Sequence, residues 1–462
     1  MVDQSIWFNF FASNFYPLLA TETEAEGGDA SLILAGVLLS LVIIYFASKL
    51  GGEICARINL PPVLGELVGG VVIGVSAFGL LVFPESGSTA TDSQIIHFLQ
   101  LTSSLTPEVA DQVFASQSEV ISLLSELGVI ILLFEIGLES DLKELIRVGP
   151  TAAIVAVVGV VAPFAAGTAG LVYLFHVSTV SAIFAGAALT ATSIGITAKV
   201  LAELGQLSSK EGQIIIGAAV LDDILGIIVL AVVASLVKTG EIEINSIIYL
   251  IITAGVFLVG AILIGRVLTP YFVGLVNNMK TRGQLLITAL IFCFVLSYIG
   301  DIIQLEAILG AFAAGLILAE TEKREELEKQ IIPVADIFVP IFFVCVGAKT
   351  DLSVLNPAVP SNREGLVIAT FLIVVAILGK VITGFTVFGQ PEINKLAIGV
   401  GMIPRGEVGL VFAGVGSTSG ALTEAEDAAI IVMVIITTFL APPLLRLVFK
   451  ESTEVKIQPG DS

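Results

Sequence analysis

Two adjacent carboxylates inside a long apolar run are the first candidates for chemistry in this sequence. Asp222 and Asp223 lie within residues 212–237, which are otherwise almost entirely apolar. A charge inside a lipid-embedded helix costs about 2.5–3.5 kcal/mol or more, so it needs a partner or a function. Neighbours on a helix point about 100° apart and therefore meet different surroundings. Such a pair predicts two coupled groups that hold protons or a cation.

A lysine in the middle of another apolar run is the natural counter-ion for one of these aspartates. Lys380 lies within residues 363–388, where its neighbours on both sides are apolar. Its ammonium group either pairs with a buried carboxylate or extends along the helix to an aqueous surface. We favour the ion pair, because charges inside membrane segments are usually paired with one another.

Two polar segments interrupt apolar runs elsewhere in the chain. Residues 190–195 contain threonines, a serine and a glycine, and residues 399–407 contain glycines, a proline and two opposite charges. Pro404 removes a helix donor, and the glycines loosen the backbone. Unwound backbone at membrane depth is tolerated only beside a cavity or a site. We therefore expect two broken helices, with purely structural kinks as the alternative.

The side chains at these interruptions suit a small, hard cation. The hydroxyl groups of Thr192 and Ser193, together with carbonyls freed by the break, are oxygen ligands of the kind that hard cations prefer. Arg405 and Glu407 are expected to pair locally and to offset helix dipoles at the second break. The residues expected to support the two breaks are Thr190, Pro404, Arg405 and Glu407.

The elements that must position these residues are membrane helices. Hydrophobic residues make up 56% of the 462 and charged residues 13%, whereas soluble domains average about 45–50% and about 25%. Such a chain has more apolar surface than a water-soluble fold can cover. Long continuous apolar runs favour helices over a barrel, whose strands alternate in character. The net charge of −20 excludes a general nucleic-acid binder.

The apolar runs predict about thirteen membrane spans. They lie at residues 30–50, 61–82, 120–138, 149–175, 179–202, 212–237, 245–270, 283–300, 306–321, 331–348, 363–388, 394–419 and 426–449. With the N-terminus outside, most of the 21 basic residues fall on the cytoplasmic side, as the positive-inside rule requires. The C-terminus is then cytoplasmic. Residues 1–29 would form an extracytoplasmic or interfacial segment, and residues 451–462 a short cytoplasmic tail.

Two sequence motifs recur in the same order in the two halves of the chain. Residues 62–70 resemble residues 307–315, with glycines at matching places, and residues 137–142 resemble residues 347–352. By the predicted topology the two copies run in opposite directions, so they form an inverted repeat. Inverted repeats are typical of secondary transporters that bind their substrate near the midplane on broken helices.

Together these features resemble the monovalent cation/proton antiporter superfamily. Within it, the chain is most similar to the paired-aspartate branch of sodium/proton antiporters, with a pattern like that of the cyanobacterial members. The resemblance is carried by residues that span most of the chain. These are Pro62–Gly70, Gly137–Leu142, Ala188–Glu203, Leu221–Asp223, Ala307–Gly315, Phe342–Leu352, Lys380 and Gly401–Leu410.

The resemblance implies an all-α integral membrane protein with inverted-topology repeats and two crossed broken helices. It implies exchange of Na⁺ or Li⁺ for H⁺ by alternating access, electrogenic, with no enzymatic reaction and no cofactor. Asp223 would bind Na⁺ with Thr192 and Ser193. Asp222 would also belong to this cation site, and it would form an ion pair with Lys380 that is exchanged on protonation.

The resemblance also implies a homodimer in which residues 30–450 form two bodies. A core at about residues 120–237 and 331–449 would carry the broken helices. It would move against a scaffold at about residues 30–82 and 245–321, which forms the dimer interface. The protein would lie in the plasma membrane or the thylakoid membrane.

Three other functions remain open on the residues alone. A K⁺/H⁺ antiporter or potassium-efflux transporter would use the same fold, and side-chain types do not separate Na⁺ from K⁺. An intramembrane aspartyl protease needs two carboxylates that converge on one water, which the adjacent pair Asp222 and Asp223 does not match. A channel would show filter loops or rings of charge from several subunits.

Overall fold

The structure is a computed structural model that describes residues 26–103, 106–239, 244–358, 360–390 and 392–457. All regular elements within these residues are helices. In chain order the α-helices are α1 (Glu26–Arg57), α2 (Pro62–Ile73), α3 (Gln94–Thr102), α4 (Pro107–Glu139), α5 (Leu142–Leu174), α6 (Thr179–Ala188), α7 (Ile194–Glu203), α8 (Lys210–Thr239), α9 (Ile244–Asn278), α10 (Gln284–Ile302), α11 (Ala307–Ala319), α12 (Arg324–Ala348), α13 (Pro360–Gly384), α14 (Lys395–Gly401), α15 (Glu407–Thr418) and α16 (Glu424–Ile457). Short 3₁₀ turns lie at Pro84–Ser86, Ala90–Asp92 and Leu352–Leu355.

The long helices are apolar enough to cross a membrane. Within the described residues, nine helices meet this description by length and composition, and four shorter apolar helices accompany them. Every apolar run predicted from the sequence coincides with one helix or with two consecutive half-helices. The all-helical class is therefore as predicted, and the number of bilayer crossings stays a prediction.

Two helix boundaries differ from the prediction for local reasons. α4 begins at Pro107, well before residue 120, because Thr106 caps it and a proline fits the first helical position. The apolar criterion missed these first turns because they are polar. α2 ends at Ile73, where the prediction continued to residue 82, and the amide of the following glycine closes the helix end.

The two ends of the chain also differ from the prediction. Residues 1–25 of the predicted N-terminal segment lie outside the described residues, and residues 26–29 belong to α1. α16 continues to Ile457, through the first part of the predicted tail. The remaining residues, 458–462, lie outside what the structure describes.

Both runs that were expected to break are divided into half-helices. Residues 189–193 separate α6 from α7, and residues 402–406 separate α14 from α15. The second interruption contains Pro404, whose missing N–H and fixed φ stop the helical hydrogen-bond ladder. The first contains no proline, and the hydroxyl of Thr192 and the amide of Ser193 bond across to the other half of the chain, as described below.

The repeated motifs make reciprocal contacts between the two halves. A Cβ on Gly70 of α2 would lie 2.9 Å from the Cα of Gly347 in α12. A Cβ on Gly315 of α11 would lie 3.0 Å from the carbonyl carbon of Gly137 in α4. Helix backbones approach this closely only where small residues meet. The reciprocity of the two contacts is what an inverted repeat would produce.

The second motif also has the same local role in both halves. The carboxylate of Asp141 accepts hydrogen bonds from the first backbone amides of α5, at 2.8 and 3.2 Å. The carboxylate of Asp351 accepts one from the amide of Ser353, at 2.8 Å, and caps the 3₁₀ turn that follows α12. A carboxylate at a helix start satisfies amides that have no helical partner.

The broken helices are enclosed by the continuous helices that carry the buried charges. α5 packs against α8 and α13, and α13 packs against α16. α6, α13, α15 and α16 share one buried hydrophobic cluster. The charged side chains of α8 and α13 therefore reach the breaks from within a packed apolar body.

Candidate functional site

The two breaks cross and bond to each other through their backbones. The amide of Ser193 donates to the carbonyl of Pro404 at 2.8 Å. The hydroxyl of Thr192 donates to the carbonyl of Met402 at 3.1 Å. A Cβ on Gly406 would lie 2.8 Å from Oγ of Ser193, so glycine permits this close approach. The crossing of the two broken helices that the family resemblance implied is therefore present.

Arg405 ties together the ends of the two half-helices. Its guanidinium donates to the carbonyl of Leu189 at 2.7 Å, just after α6, and to the carbonyls of Met402 and Ile403 at 3.3 and 3.2 Å, just after α14. Arg405 is fully buried. A cation at helix C-termini satisfies carbonyls that lack a helical partner and offsets the negative end of the dipole.

This arrangement gives Arg405 partners that the sequence did not suggest. A local pair with Glu407 was expected. The described hydrogen bonds of Arg405 go to backbone carbonyls, and Glu407 is the first residue of α15. The side chain of Glu407 lies outside what the structure describes, so its pairing stays a prediction.

Lys380 of α13 lies between the first break and one aspartate. Its Nζ is 2.8 Å from Oδ2 of Asp222 and donates to the carbonyl of Thr190 at 2.7 Å. Both charged side chains are fully buried. The lysine thus makes the ion pair and does not extend to an aqueous surface. Thr190 contributes its backbone oxygen here, while its hydroxyl donates to the carbonyl of Ala187 at 2.7 Å.

Asp223 faces a small cavity on another side of α8. The aspartate is 3% exposed, and the cavity, of about 10 Å³, is also lined by Thr192, Ser193, Gly406 and Glu306. A cavity of this size has room for about one water molecule. Carboxylate and hydroxyl oxygens around such a space can bind one small hard cation. The structure thus brings Asp223, Thr192 and Ser193 together around one cavity. Asp222, which was also predicted to bind the cation, does not line this cavity and pairs with Lys380.

The four buried charges among the side chains that the structure describes at the crossing balance. Asp222 and Asp223 carry two negative charges when ionised, and Lys380 and Arg405 carry two positive charges. Balanced and hydrogen-bonded charges are the form in which a low-dielectric interior tolerates ions. A proton and a monovalent cation would each add one positive charge at Asp223, so the two loaded forms carry the same net charge.

Three polar residues near the site were missed at the sequence level. Thr438 of α16 donates to the carbonyl of Arg405 at 2.6 Å, and Thr197 of α7 donates to the carbonyl of Gly401 at 2.9 Å. Glu306, just before α11, lines the Asp223 cavity. The threonines carry no charge to mark them, and Glu306 stands at the edge of an apolar run, where an acidic residue is commonplace.

A second, larger cavity lies next to the crossing. It has a volume of about 260 Å³ and is lined by residues of α4, α12, α15 and α16 and by Gly406 of the second break. Glu85, Glu126 and Lys349 also line it, and Lys349 forms an ion pair with Glu85. Because Gly406 lines both cavities, the larger one extends from these charged residues to the edge of the Asp223 cavity.

Comparisons with known proteins agree with this fold. Residues 37–451 match the family model described as sodium/hydrogen exchanger, transmembrane. The chain is 74% identical over 435 residues to the high-affinity Na⁺/H⁺ antiporter NhaS3 of Synechocystis sp., covering 94% of each chain. It is 33% identical over 413 residues to the Na⁺/H⁺-K⁺ antiporter GerN of Bacillus cereus, covering 88% of this chain and 95% of that one.

A solved structure supports the fold independently. The sodium proton antiporter MjNhaP1 from Methanocaldococcus jannaschii matches with a TM-score of 0.60, over 92% of this chain and 99% of that one. The sequence identity is 18%, so this likeness bears on the fold alone. It confirms the antiporter fold expected from the motifs.

Proposed function

The chain belongs to the sodium/hydrogen exchanger family, and from that premise we propose that it exchanges Na⁺ for H⁺ across a membrane. It is a secondary transporter and not an enzyme. The observation that carries the proposal is the cavity shared by Asp223, Thr192 and Ser193 at the crossing of two broken helices. The likeness to the sodium/proton antiporter of Synechocystis favours Na⁺ over K⁺ as the substrate.

Competition for Asp223 would couple the two ions. The cavity has room for about one small particle, so a proton on the carboxylate and Na⁺ beside it exclude each other. Either ion neutralises a charge that would otherwise be carried through an apolar interior. Only a loaded site then changes sides, and the gradient of one ion drives the other. No cofactor enters this cycle.

The ion pair of Asp222 and Lys380 would make the exchange electrogenic. The pair is fully buried, with 2.8 Å between Nζ and Oδ2. In the step that carries Na⁺, Asp223 holds the cation. In the return step, Asp223 carries one proton and the pair carries a second, so two protons cross for each Na⁺. One net charge then moves per cycle. An intramembrane protease is not supported, because the two aspartates face different partners and do not converge on one water.

The movement would take place between a core and a scaffold. We assign α5–α8 and α13–α16 to the core, and α1, α2 and α9–α11 to the scaffold, largely as the sequence suggests. α4 and α12 were expected in the core. Their glycines pack backbone to backbone on α11 and α2, so we place them with the scaffold, because such a contact resists sliding. The larger cavity would then lie along the boundary between the two bodies.

We further propose a homodimer formed through the scaffold. Li⁺ would share the site with Na⁺, since both are small, hard monovalent cations. The N-terminus would be extracytoplasmic or lumenal and the C-terminus cytoplasmic, as the distribution of basic residues indicates. The membrane would be the plasma membrane or the thylakoid membrane.

Cation-driven proton movement in proteoliposomes tests this function. Purified protein is reconstituted with an imposed pH gradient, and Na⁺, Li⁺ or K⁺ is added in turn while the internal pH is followed. The proposal expects Na⁺ and Li⁺ to dissipate the gradient, with K⁺ much less effective. A stronger response to K⁺ would favour a potassium/proton antiporter. No response to any cation across a broad pH range would reject antiport.

A further inference from the structure

A third carboxylate lines the candidate cation site, and it comes from a different part of the molecule. Glu306 occupies the residue before α11 in an extended conformation, with φ −72° and ψ 141°. It lines the Asp223 cavity together with Ile308 of α11. The other residues of that lining belong to α8, to the two breaks and to the first turns of α7 and α15. Two acidic side chains from separate elements therefore border one space with room for about one water molecule.

The helix that follows Glu306 is anchored to the scaffold. A Cβ on Gly310 would lie 2.6 Å from the Cα of Ser297 in α10. Gly315, further along the helix, packs equally closely on Gly137 of α4. Contacts of this kind fix α11 to its neighbours, because no side chain separates the backbones. Glu306 is therefore held by the scaffold, while Asp223 is held by the core.

The position of Glu306 favours a negative charge. The start of a helix carries a partial positive charge that stabilises an adjacent anion. Glu306 is partly exposed. An ionised Glu306 would add a second negative charge beside a small, enclosed cavity, where low dielectric strengthens attraction for a cation.

We propose that Glu306 is a scaffold carboxylate that attracts Na⁺ to Asp223 in the conformation described here. This inference rests on the proposed exchange of Na⁺ for H⁺. When the core moves, Asp223 moves with α8 and leaves Glu306 behind. The cation therefore meets two carboxylates on one side of the membrane and one on the other. Glu306 lowers the Na⁺ concentration needed on that one side and helps to bind a cation there without taking part in its transfer.

The predicted topology indicates the side of the membrane on which Glu306 acts. α11 begins on the extracytoplasmic side when the N-terminus is placed outside. Glu85, which lines the larger cavity leading to Gly406, belongs to a loop on the same predicted side. Glu306 should therefore act on Na⁺ that enters from the extracytoplasmic side.

Kinetics in oriented membrane vesicles test this inference. Glu306→Gln keeps the size of the side chain and removes its charge, and Glu306→Asp keeps the charge. Glu320→Gln is the matched control, because Glu320 is exposed and follows the other end of the same helix. Na⁺-driven proton flux is measured over a range of Na⁺ concentrations in right-side-out and in everted vesicles.

The expected result is a one-sided change in Na⁺ dependence. In Glu306→Gln the half-saturating concentration for extracytoplasmic Na⁺ rises about three- to fivefold, the effect of one partly exposed charge. The maximal rate and the half-saturating concentration for cytoplasmic Na⁺ stay near the wild-type values. Glu306→Asp restores most of the affinity, and Glu320→Gln changes neither quantity.

Other outcomes would overturn the inference. An unchanged half-saturating concentration in Glu306→Gln, an equal change from both sides, or a change confined to the cytoplasmic side each contradict it. A fall in maximal rate alone would indicate a structural role. These failures differ from a failure of the proposed function, which would leave the wild-type protein without any response to Na⁺.

Discussion

Each buried charge at the site has a partner of opposite charge or a helix end. Lys380 contacts Asp222 and the carbonyl of Thr190, and Arg405 contacts carbonyls at the ends of α6 and α14. Breaking a buried ion pair by removing one partner leaves an uncompensated charge, whereas removing both partners is often nearly neutral. The ion pair and the arginine contacts thus hold the crossing together, and Asp223 lines the cavity beside it.

Removing the lysine should destabilise the protein more than removing the pair. Lys380→Met leaves Asp222 buried without its counter-ion and should lower the free energy of unfolding by about 3–5 kcal/mol. Adding Asp222→Asn to this variant should recover part of that loss. Chemical unfolding in detergent, followed by far-ultraviolet circular dichroism, measures both effects.

A half-buried lysine, whose ion-pair partner is exposed, provides the control for this experiment. Lys349→Met removes the ion pair with Glu85, whose side chain is 63% exposed, and should cost no more than about 1 kcal/mol. If Lys380→Met were no less stable than Lys349→Met, the buried pair would not be holding the crossing together.

Replacing the buried arginine by lysine should also impair the protein. Arg405→Lys retains the charge, but a single ammonium group cannot reproduce a planar fork that reaches carbonyls after both α6 and α14. We expect the rate of Na⁺/H⁺ exchange to fall by about tenfold or more, since loss of positioning at an active centre commonly has such effects. Initial rates in proteoliposomes measure the change. A wild-type rate in Arg405→Lys would contradict this bridging role.

At the scale of elements, glycine contacts set how the two halves pack. Gly70 and Gly315 lie on helices that resemble each other in sequence, and each meets a glycine of the opposite half. Neither contact leaves space for a side chain. The repeated glycine motif therefore determines which helix packs against α2 and which against α11, and it relates the two contacts by symmetry.

A methyl group at either contact should disturb this packing. Gly70→Ala or Gly315→Ala forces two backbones apart, and overpacking of this kind costs about 1–3 kcal/mol. Gly255→Ala in α9 is the matched control, because no atom lies within 4 Å of the added carbon. That variant should be neutral or more stable, since alanine favours helices. Thermal unfolding in detergent separates the cases, and equal stability of all three variants would argue against the reciprocal contact.

The helices and the buried charges could be predicted from the sequence, because a membrane requires long apolar runs and charged residues within such runs are rare. Asp222, Asp223 and Lys380 stand out from apolar runs in which a charge is costly. The partners of Arg405 could not be predicted, since any residue offers a backbone carbonyl and only the crossing selects Leu189. The polar first turns of α4 and the role of Glu306 were both missed for one reason. Polar residues at the end of an apolar run cannot be distinguished from loop residues by a search for apolar segments.

At the scale of the whole molecule, the proposed movement of the core requires that contacts between core and scaffold break during each cycle. One such contact joins the start of α2 to the end of α7, where the amide of Val63 donates to Oε1 of Glu203 at 3.2 Å. By contrast, Ser48 of α1 donates to Oε1 of Glu66 in α2 at 3.0 Å, within the scaffold. The two contacts should respond differently when they are fixed covalently.

Cross-linking across the boundary should stop transport. In a variant without the native cysteines, Val63→Cys with Glu203→Cys is treated with a short, cleavable bifunctional thiol reagent. The cross-link should abolish exchange, and its reduction should restore it, because a fixed core cannot change sides. Ser48→Cys with Glu66→Cys is the control and should keep exchanging when cross-linked. Undiminished exchange with α2 and α7 linked would contradict a core that moves against the scaffold.

Competition between Na⁺ and H⁺ at Asp223 is the central claim, and the pH dependence of Na⁺ affinity tests it most directly. The half-saturating Na⁺ concentration is measured in proteoliposomes at a series of pH values, with Asp223→Asn alongside. One competing proton predicts about a tenfold rise per pH unit towards acid, with the maximal rate unchanged and no exchange in the variant. A half-saturating concentration independent of pH, or exchange at the normal rate in Asp223→Asn, would contradict the account.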